Sequence, residues 1–324
     1  MKNNPIISII VPVYNVAQYI EECLNSVIGQ TYKGEIECLI VDDCGTDNSI
    51  AIAERIIQNY HGNIKFQILH HDHNRGLSAA RNTGIKASTG DYVYFLDSDD
   101  SIIPECLQLM VDMLKKYPEA EIVQAGAISE NKWVDIESKK LPEFSDDKIW
   151  IKSTMLKQSI IPVTAWNKLI KKEFIIKNNL FFKEGVIHED EHWNFFASKH
   201  INCIAICKHN TYNYRVRSDS IMSGDFEKSF YYCLIIFRDM ISNIDNCCKN
   251  KQIAMIFRKL HQIYVFSLDR INREQAKQLL KQVADISTIV GKITIWLILH
   301  TPIAINKNRI LYSKIIEMRL TPFF

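Results

Sequence analysis

Tyr92-Val93-Tyr94-Phe95-Leu96 leads directly into Asp97-Ser98-Asp99-Asp100, so an apolar run ends in three carboxylates within four residues. The apolar run is typical of a buried strand, and the acids then lie at its carboxyl end. Clustered carboxylates repel one another and remain ionised where a cation or hydrogen-bond donors compensate them. Mg²⁺ and Mn²⁺ suit such a cluster, because they are commonly held by one or two carboxylates together with substrate phosphates. The stretch therefore predicts a metal–diphosphate site.

A solvated turn before a helix is the alternative interpretation of these acids. Pro104 suits the first turn of a helix, and acidic side chains suit its positive end. The stretch alone favours neither interpretation, and the residues that precede it decide between them.

Three strand–helix units precede the acids. Residues 6–13, 36–41 and 64–69 are apolar runs typical of strands buried on both faces. Each is followed by a polar turn and by apolar residues at helical spacing. In the first unit Asn15 is expected to cap the helix, with Gln18 placed to complete a capping box.

This alternation predicts a mostly parallel α/β sheet flanked by helices, which binds ligands outside the carboxyl ends of its strands. A nucleotide fits a rim that offers carboxylates for base and ribose, a metal for phosphates, and basic side chains. Neither G-x-G-x-x-G nor G-K-[ST] follows any of these strands, which disfavours NAD and ATP-hydrolase sites. Four polar segments are expected to meet on the rim: Tyr14-Asn15, Asp42-Asp43, Arg75–Arg81 and Asp97–Asp100.

These segments resemble the successive motifs of family 2 glycosyltransferases. The resemblance covers about the first 130 residues well and residues up to about 225 more weakly. It implies a GT-A fold and transfer of a sugar from a nucleotide-diphosphate donor, with UDP the favoured nucleotide and inversion at the anomeric carbon. The stretches that carry the resemblance are Ile7–Asn15, Val41–Asp43, Asn74–Asn82 and Asp97–Asp100.

The resemblance also implies roles for single residues. Asp43 is expected to contact the base, and Asp97 and Asp99 to form a DxD element in which Asp99 is favoured as the direct ligand of Mn²⁺ or Mg²⁺. Arg81 is expected near the base or the phosphates, with a helix charge bonded to a local carboxylate as the alternative. The donor-binding set is Pro12, Val13, Tyr14, Asn15, Asp43, Arg81, Asp97, Ser98 and Arg215.

One departure from the family pattern concerns the turn after the second strand. Many relatives have Asp-Asp-Gly-Ser where this chain has Asp42-Asp43-Cys44-Gly45. The acids are retained, and the change bears on the geometry of the turn.

A second acidic cluster, His188-Glu189-Asp190-Glu191-His192, opens a predicted helix. An inverting displacement needs a general base for the acceptor hydroxyl. Relatives carry a Glu-Asp pair at this point, which makes Asp190 the catalytic candidate, with Glu189 and Glu191 as neighbours that orient the acceptor. Acids in a first helical turn also interact favourably with the helix dipole and need no catalytic reason. The zinc order H-E-x-x-H is absent, so the histidines are interpreted as local hydrogen-bonding or acceptor-site groups.

Tyr212–Ile221 resembles a Tyr-x-x-Arg-x-x-x-Ser-Ile segment of polysaccharide-making relatives. Arg215 or Arg217 is expected to hold the donor diphosphate, and a strand followed by a solvated basic loop is the alternative. Trp166 is expected to pack in the core, with stacking on a sugar ring as the alternative. The run His70–His73 is expected to join the donor rim or to face solvent.

Composition restricts the remaining possibilities. The chain has 324 residues, is 47% hydrophobic and carries a net charge of +2, which disfavours a nucleic-acid partner. Nine cysteines without a signal peptide before them indicate reduced thiols in the cytoplasm. Cys203, Cys207 and His209 are expected to pack in the interior, because a fourth metal ligand at familiar spacing is missing.

The expected domains are a GT-A catalytic domain over 1–225, with a nucleotide half (1–128) and an acceptor half (129–225), and a helical extension over 226–324. Ile293–Ile305 is almost wholly apolar but too short to span a bilayer. Basic residues flank and follow it, which favours a helix at an anionic membrane surface. Docking of a helix pair on the catalytic domain or on a second subunit is the alternative.

The sequence thus predicts a metal-dependent inverting hexosyltransferase, cytoplasmic or peripheral on the membrane's cytoplasmic face. It would act on a glycan or lipid-linked acceptor in surface polysaccharide synthesis. Two alternatives are a sugar nucleotidyltransferase and a non-catalytic nucleotide-sugar-binding protein. The first would normally show a Gly-rich phosphate loop, and the second has no need of an acid at Asp190.

Overall fold

The computed structural model describes residues 4–129, 135–157, 161–216 and 225–300. Its strands are β1 (Ile7–Val13), β2 (Ile36–Asp42), β3 (Lys65–His70), β4 (Tyr92–Phe95), β5 (Ser101–Ile102), β6 (Ile122–Ile128), β7 (Phe144–Ser145), β8 (Lys168–Lys171) and β9 (Ile204–Asn213). Its helices are α1 (Ile20–Ile28), α2 (Ser49–Gln58), α3 (Leu77–Ala87), α4 (Cys106–Lys116), α5 (Lys148–Leu156), α6 (Lys172–Lys177), α7 (Glu189–His200), α8 (Phe226–Ser242), α9 (Lys249–Phe266), α10 (Arg270–Ile286) and α11 (Ile289–His300).

The strands form one sheet in the order β3-β2-β1-β4-β8-β6-β9-β5, and β7 pairs with β9. The first four strands in this order are parallel, as the alternation of strands and helices predicts. Beyond β4 the sheet is mixed, because β8 runs antiparallel to both of its neighbours and β5 runs antiparallel to β9. The α/β class is therefore confirmed. Four adjacent parallel strands lie in the nucleotide half, and β6 and β9 form a further parallel pair.

Helices cover both faces of the sheet. Alternate residues of β1 enter different cores: Ile9 and Val11 pack with residues of α1 and α4, whereas Ile10 packs with residues of α3 and α7. Helix α3 approaches β1 so closely that a Cβ added at Gly84 would lie 2.4 Å from Ile10 Cγ2. A glycine in this helix thus allows the close approach that holds Arg81 beside the strand ends.

The predicted cap of the first helix is wrong. Helix α1 begins at Ile20, and Tyr19 rather than Asn15 precedes it. Asn15 has a φ of 52° and its Oδ1 accepts a hydrogen bond from Thr46 N at 2.8 Å. The side chain that would cap a helix instead joins the turn after β1 to the loop after β2, because an asparagine tolerates the left-handed conformation.

The chain divides into two compact units, one formed by Met1–Gly185 with Glu189–Arg217 and the other by Val186–His188 with Ser218–Phe324. The second unit contains α8–α11, and α10 packs against α8, α9 and α11 within it. None of the described helices is both long and apolar enough to cross a bilayer. The nine cysteines all lie in the described ranges, and none of them forms a disulfide there.

Candidate active site

Asp43 organises the loop between β3 and α3. Its side chain is almost fully buried, and its Oδ1 accepts hydrogen bonds from Arg75 N at 2.8 Å and pairs with His71 Nδ1 at 2.7 Å. Its Oδ2 accepts from Gly76 N at 2.8 Å, where Gly76 has a φ of 86° before α3 begins. The other ring nitrogen of His71 lies 2.8 Å from Thr83 Oγ1. The carboxylate predicted to contact the base therefore also fixes the entry into α3.

The turn that departs from the family pattern keeps a tight conformation. Cys44 adopts a φ of 60°, and its N donates to Asp42 Oδ1 at 3.1 Å. A Cβ added at Gly45 would lie 3.1 Å from Asn15 N, so the two turns touch. Tyr14 is 47% exposed beside them, whereas Pro12 and Val13 are buried at the end of β1. Of these donor-binding candidates, Tyr14 and Asn15 therefore present their side chains to solvent.

Asp97–Asp100, hereafter the acidic turn, is held by Tyr212 of β9. The Tyr212 hydroxyl donates to Asp100 Oδ2 at 2.8 Å and accepts from Asp97 N at 3.2 Å. Asp100 is buried, and desolvation followed by the charges of Asp99 and Asp97 raises its pKa to about 8. Ser98 is also buried. Asp97 and Asp99 retain partial exposure, so they are the acids of this turn that solvent reaches.

Arg215 lies against the acidic turn. Its N donates to Asp100 Oδ1 at 2.7 Å, and its Nε donates to the carbonyl oxygen of Asp99 at 3.1 Å. Its Nη2 pairs with Glu22 of α1 at 2.6 Å, and the guanidinium lies 5.1 Å from the ring centroid of Tyr19. Arg217, the other candidate, lies outside the described residues.

Arg81 joins the acidic turn to the second acidic cluster. Its Nη2 lies 2.8 Å from Asp97 Oδ1 and its Nη1 lies 2.6 Å from Glu189 Oε1. The side chain is 3% exposed, and its guanidinium lies 5.3 Å from the ring centroid of Phe182. Burial alone would lower the pKa of Arg81, but the charges of Asp97 and Glu189 outweigh it and raise the pKa. Arg81 is therefore a fixed cation inside the site rather than a solvated helix charge.

Asp190 occupies the first turn of α7, next to Glu189. Glu189 and Glu191 are buried and Asp190 is partly exposed. Burial raises the pKa of Asp190, and the charges of Glu189 and Glu191 raise it further, while Arg81 opposes the shift. Its Oδ1 accepts from Glu191 N at 2.8 Å, which orients the carboxyl group. A carboxyl group with a raised pKa in a reachable position can take up a proton near neutral pH.

Strand β8 begins with a buried amine, on which the charges of Asp190 and Arg81 act. Lys168 is almost fully buried, and its Nζ donates to the carbonyl oxygens of Pro162, at 2.9 Å, and Thr164. Desolvation lowers the pKa of Lys168 to about 7. Trp166, in the same segment, is buried and stacks on the ring of Tyr212 with centroids 4.4 Å apart, as expected of a packing residue.

The histidine clusters have mainly local partners. Of the third candidate set, Cys207 is buried, Cys203 is partly exposed and His209 is exposed, so the prediction of interior packing is wrong for His209. His70 and His73 are exposed and pair with Asp42 and Asp72 respectively, whereas His71 is buried against Asp43. His188 Nε2 lies 2.8 Å from Ser229 Oγ. No group of three or more His, Cys, Asp or Glu residues in the described ranges is arranged to hold a metal alone.

The chemistry of the acidic turn nevertheless fits a hard divalent ion completed by substrate phosphates. Its donors are oxygens, which Mg²⁺ and Mn²⁺ prefer. Burial raises the pKa of Asp100, and the negative charges of Asp99 and Asp97 raise it further. An added cation near Asp97 and Asp99 would relieve that repulsion.

Two contributors were not predicted from the sequence as site residues. Glu22 pairs with Arg215, and Tyr212 holds the acidic turn. For the run His70–His73, expected to join the donor rim or to face solvent, the structure shows His71 against Asp43 and exposed side chains at His70 and His73. Parallel pairing of β2 and β3 sets Asp42 opposite His70 and so brings the following residues together. Glu22 carries no local signal, because it is one of two acids in the first turn of an ordinary amphipathic helix.

Comparison with known proteins gives matches to glycosyltransferases. Residues 8–178 match the family described as glycosyl transferase family 2. The uncharacterized glycosyltransferase EpsJ of Bacillus subtilis is 30% identical over 224 residues, which are 67% of this chain and 63% of EpsJ. This chain thus spans less than two thirds of the length of that relative.

Solved structures share the fold. A crystal structure of Staphylococcus aureus TarS 1-349 in complex with UDP-GlcNAc gives a TM-score of 0.70 at 19% identity, over 96% of this chain and 91% of that one. The mannosyltransferase PcManGT from Pyrobaculum calidifontis, in complex with GDP-Man and Mn²⁺, gives 0.58 at 18% identity, over 99% and 85% of the two chains. At these identities the likeness establishes the architecture alone.

Proposed function

We propose, from the premise that the chain belongs to glycosyl transferase family 2, that it is an inverting glycosyltransferase. It transfers a sugar from a nucleotide-diphosphate donor, a UDP-sugar, to a glycan or lipid-linked acceptor during synthesis of a surface polysaccharide. The GT-A fold shared with TarS supports this proposal at the level of architecture.

The observation that carries the proposal is the double ion pair of Arg81. One guanidinium bonds both Asp97, in the acidic turn, and Glu189, next to Asp190. A donor diphosphate beside the acidic turn would therefore lie near the helix that carries the candidate base. An inverting transfer needs this proximity, because the acceptor oxygen attacks while the nucleotide departs.

The donor base is assigned to the cluster around Asp43. Oδ1 of Asp43 bonds both Arg75 N and His71, whereas Oδ2 bonds Gly76 N. A carboxylate oxygen has room for two hydrogen bonds, so Oδ2 can accept one more, from a ring N–H of the base. The exposed ring of Tyr14 offers an apolar wall beside it.

Mn²⁺ or Mg²⁺, held by Asp99 and Asp97, would offset the charge that grows on the departing nucleoside diphosphate. The complex of PcManGT with GDP-Man and Mn²⁺ is consistent with this assignment. Arg215 contributes a fixed positive charge next to the acidic turn, where its Nε donates a hydrogen bond to the carbonyl oxygen of Asp99.

Asp190 acts as the general base. As the acceptor oxygen forms its bond to the anomeric carbon, the bond from that carbon to the diphosphate breaks and the hydroxyl proton passes to Asp190. Arg81 holds Glu189 and thereby fixes the start of α7, so that Asp190 keeps its position. The neutral acid that results is favoured by its buried surroundings.

Release of nucleoside diphosphate from a panel of nucleotide sugars tests the proposal. The wild-type protein should release it from one donor in the presence of Mn²⁺ or Mg²⁺ and stop when EDTA is added. Asp99→Asn and Asp190→Asn should each lose at least ~100-fold in rate. Asp146→Asn, at an exposed position outside these contacts, should retain the wild-type rate.

Other outcomes would contradict the proposal. Donor binding without turnover, even with cell-extract acceptors, would indicate a non-catalytic nucleotide-sugar-binding protein. Formation of a sugar nucleotide from sugar phosphate and nucleoside triphosphate would indicate a nucleotidyltransferase.

A further inference from the structure

Helix α11 of the second compact unit has an apolar face that is open to solvent. Ile289, Val290, Ile293 and Trp296 recur at helical spacing and are 77%, 45%, 55% and 58% exposed. The opposite side of the helix is buried, through residues such as Ile295 and Ile298, and α11 packs against α10. Large apolar side chains exposed together on one helix face mark an interaction surface rather than chance exposure.

Charge decides what kind of partner this face suits. Helix α11 contains Lys292 and no acidic residue. Residues 301–324 add Lys307, Arg309, Lys314 and Arg319 against the single acid Glu317. An apolar face that is accompanied by basic residues fits a partner that offers both an apolar layer and negatively charged groups.

We infer that the α11 face (Ile289, Val290, Ile293 and Trp296) docks on an anionic lipid surface. The helix lies in the headgroup region with these side chains in the acyl boundary, and Lys292 meets the lipid phosphates. Trp296 is suited to this boundary, because indole rings favour the interface between hydrocarbon and water. The twelve residues of α11 reach only about 18 Å, so the helix lies on the bilayer and does not cross it.

This docking is independent of the proposed donor and acceptor. A second copy of the chain is the main competing occupant of the face, and residues 301–324 of the same chain are another. A second copy does not explain the excess of basic over acidic residues, because a self-complementary contact would set these like charges against one another. The truncation described below distinguishes residues 301–324 from a lipid surface.

Co-sedimentation of the full-length protein with vesicles tests the inference. Binding is expected to vesicles of phosphatidylcholine mixed with phosphatidylglycerol, to weaken as salt is added, and to be much lower on phosphatidylcholine alone. Ile293→Glu should reduce binding at least ~10-fold. Ile271→Glu is the matched control, because Ile271 is also a helical isoleucine of this unit and is 66% exposed.

A second readout locates the face. Brominated acyl chains should quench the fluorescence of the vesicle-bound wild-type protein, and Trp296→Phe should remove most of that quenching while it keeps binding.

The inference is overturned if the wild-type protein stays in the supernatant, if Ile293→Glu binds as well as wild type, or if phosphatidylcholine alone suffices. A second copy would be the occupant if light scattering showed a dimer that Ile293→Glu converts to a monomer and that does not bind vesicles. Vesicle binding that appears only after removal of residues 301–324 would assign it to that segment.

Discussion

The guanidinium of Arg81 lies 2.6 Å from a carboxylate oxygen of Glu189, which follows it by 108 positions in the chain. The same guanidinium lies 2.8 Å from Asp97. Helix α3, the end of β4 and the start of α7 are thus joined by one buried cation. A cation that is buried with two carboxylates cannot be removed alone without leaving buried negative charge.

Replacement of Arg81 by Met should therefore be strongly destabilising. We expect Arg81→Met to lower the free energy of unfolding by about 3–5 kcal/mol in urea titrations, since two carboxylates lose their partner. Arg75→Met removes an exposed pair with Glu184 and should cost at most about 1 kcal/mol. Equal, small losses in both variants would show that the Arg81 pairs do not stabilise the fold.

The pH dependence of transfer should follow Asp190. Burial and the neighbouring acids raise its pKa to about 7, and only the ionised form accepts a proton. We expect kcat/KM to fall about tenfold for each pH unit below this value and to level off above it. Glu191→Gln removes one neighbouring charge and should shift the midpoint to lower pH, whereas Asp146→Asn should leave it unchanged. A profile that is flat between pH 5 and 9 would exclude Asp190 as the base.

The same residue should oppose stability at alkaline pH. Because the folded-state pKa of Asp190 lies above the unfolded value, the stability it contributes is complete at acidic pH and is lost as pH rises through about 7. Asp190→Asn cannot ionise and should melt about 2 °C above wild type at alkaline pH, with little difference near pH 4. A lower melting temperature at both pH values would indicate that Asp190 is chiefly a structural residue.

Tyr212 should act on donor binding through the acidic turn. Tyr212→Phe removes the hydroxyl that bonds Asp100 and Asp97 N, so we expect a loss of about 1–3 kcal/mol in stability and a several-fold higher KM for the donor. Tyr32→Phe is the control, because its hydroxyl bonds Pro5 O before β1, at the opposite end of that strand. It should lose stability without a change in donor KM. If both variants raise the donor KM alike, the higher KM reflects lower stability of the fold rather than the loss of the hydroxyl at the acidic turn.

Local sequence patterns were sufficient for the parallel half of the fold. Apolar runs predicted β1–β4 within one or two residues, and the ordered motifs predicted the family that comparison confirms. The cap at Asn15 was wrong because its competing partner, Thr46, lies 31 residues away. Where a side chain can bond either the start of a helix or a distant loop, the neighbouring residues do not determine which partner it takes.

The environments of the site residues depend on contacts distant in sequence. In the sequence, Arg81 cannot be distinguished from an ordinary helix arginine. Its partner Glu189 lies on α7, which is outside the nucleotide half, so the pair is not evident from local sequence. Arg215 was expected near the diphosphate, but its pairing with Glu22 joins the first helix to the last strand of the unit. The roles of the donor-binding set, of Asp190 and of the metal remain predictions.

Donor binding and turnover, measured together on Asp190→Asn, test the central claim most directly. The account predicts that calorimetry gives a dissociation constant for the UDP-sugar within about twofold of wild type, while transfer to acceptor falls at least ~100-fold. This result would separate a base from a binding residue. Transfer at the wild-type rate, or parallel loss of binding and transfer, would contradict the assignment of Asp190 as the general base.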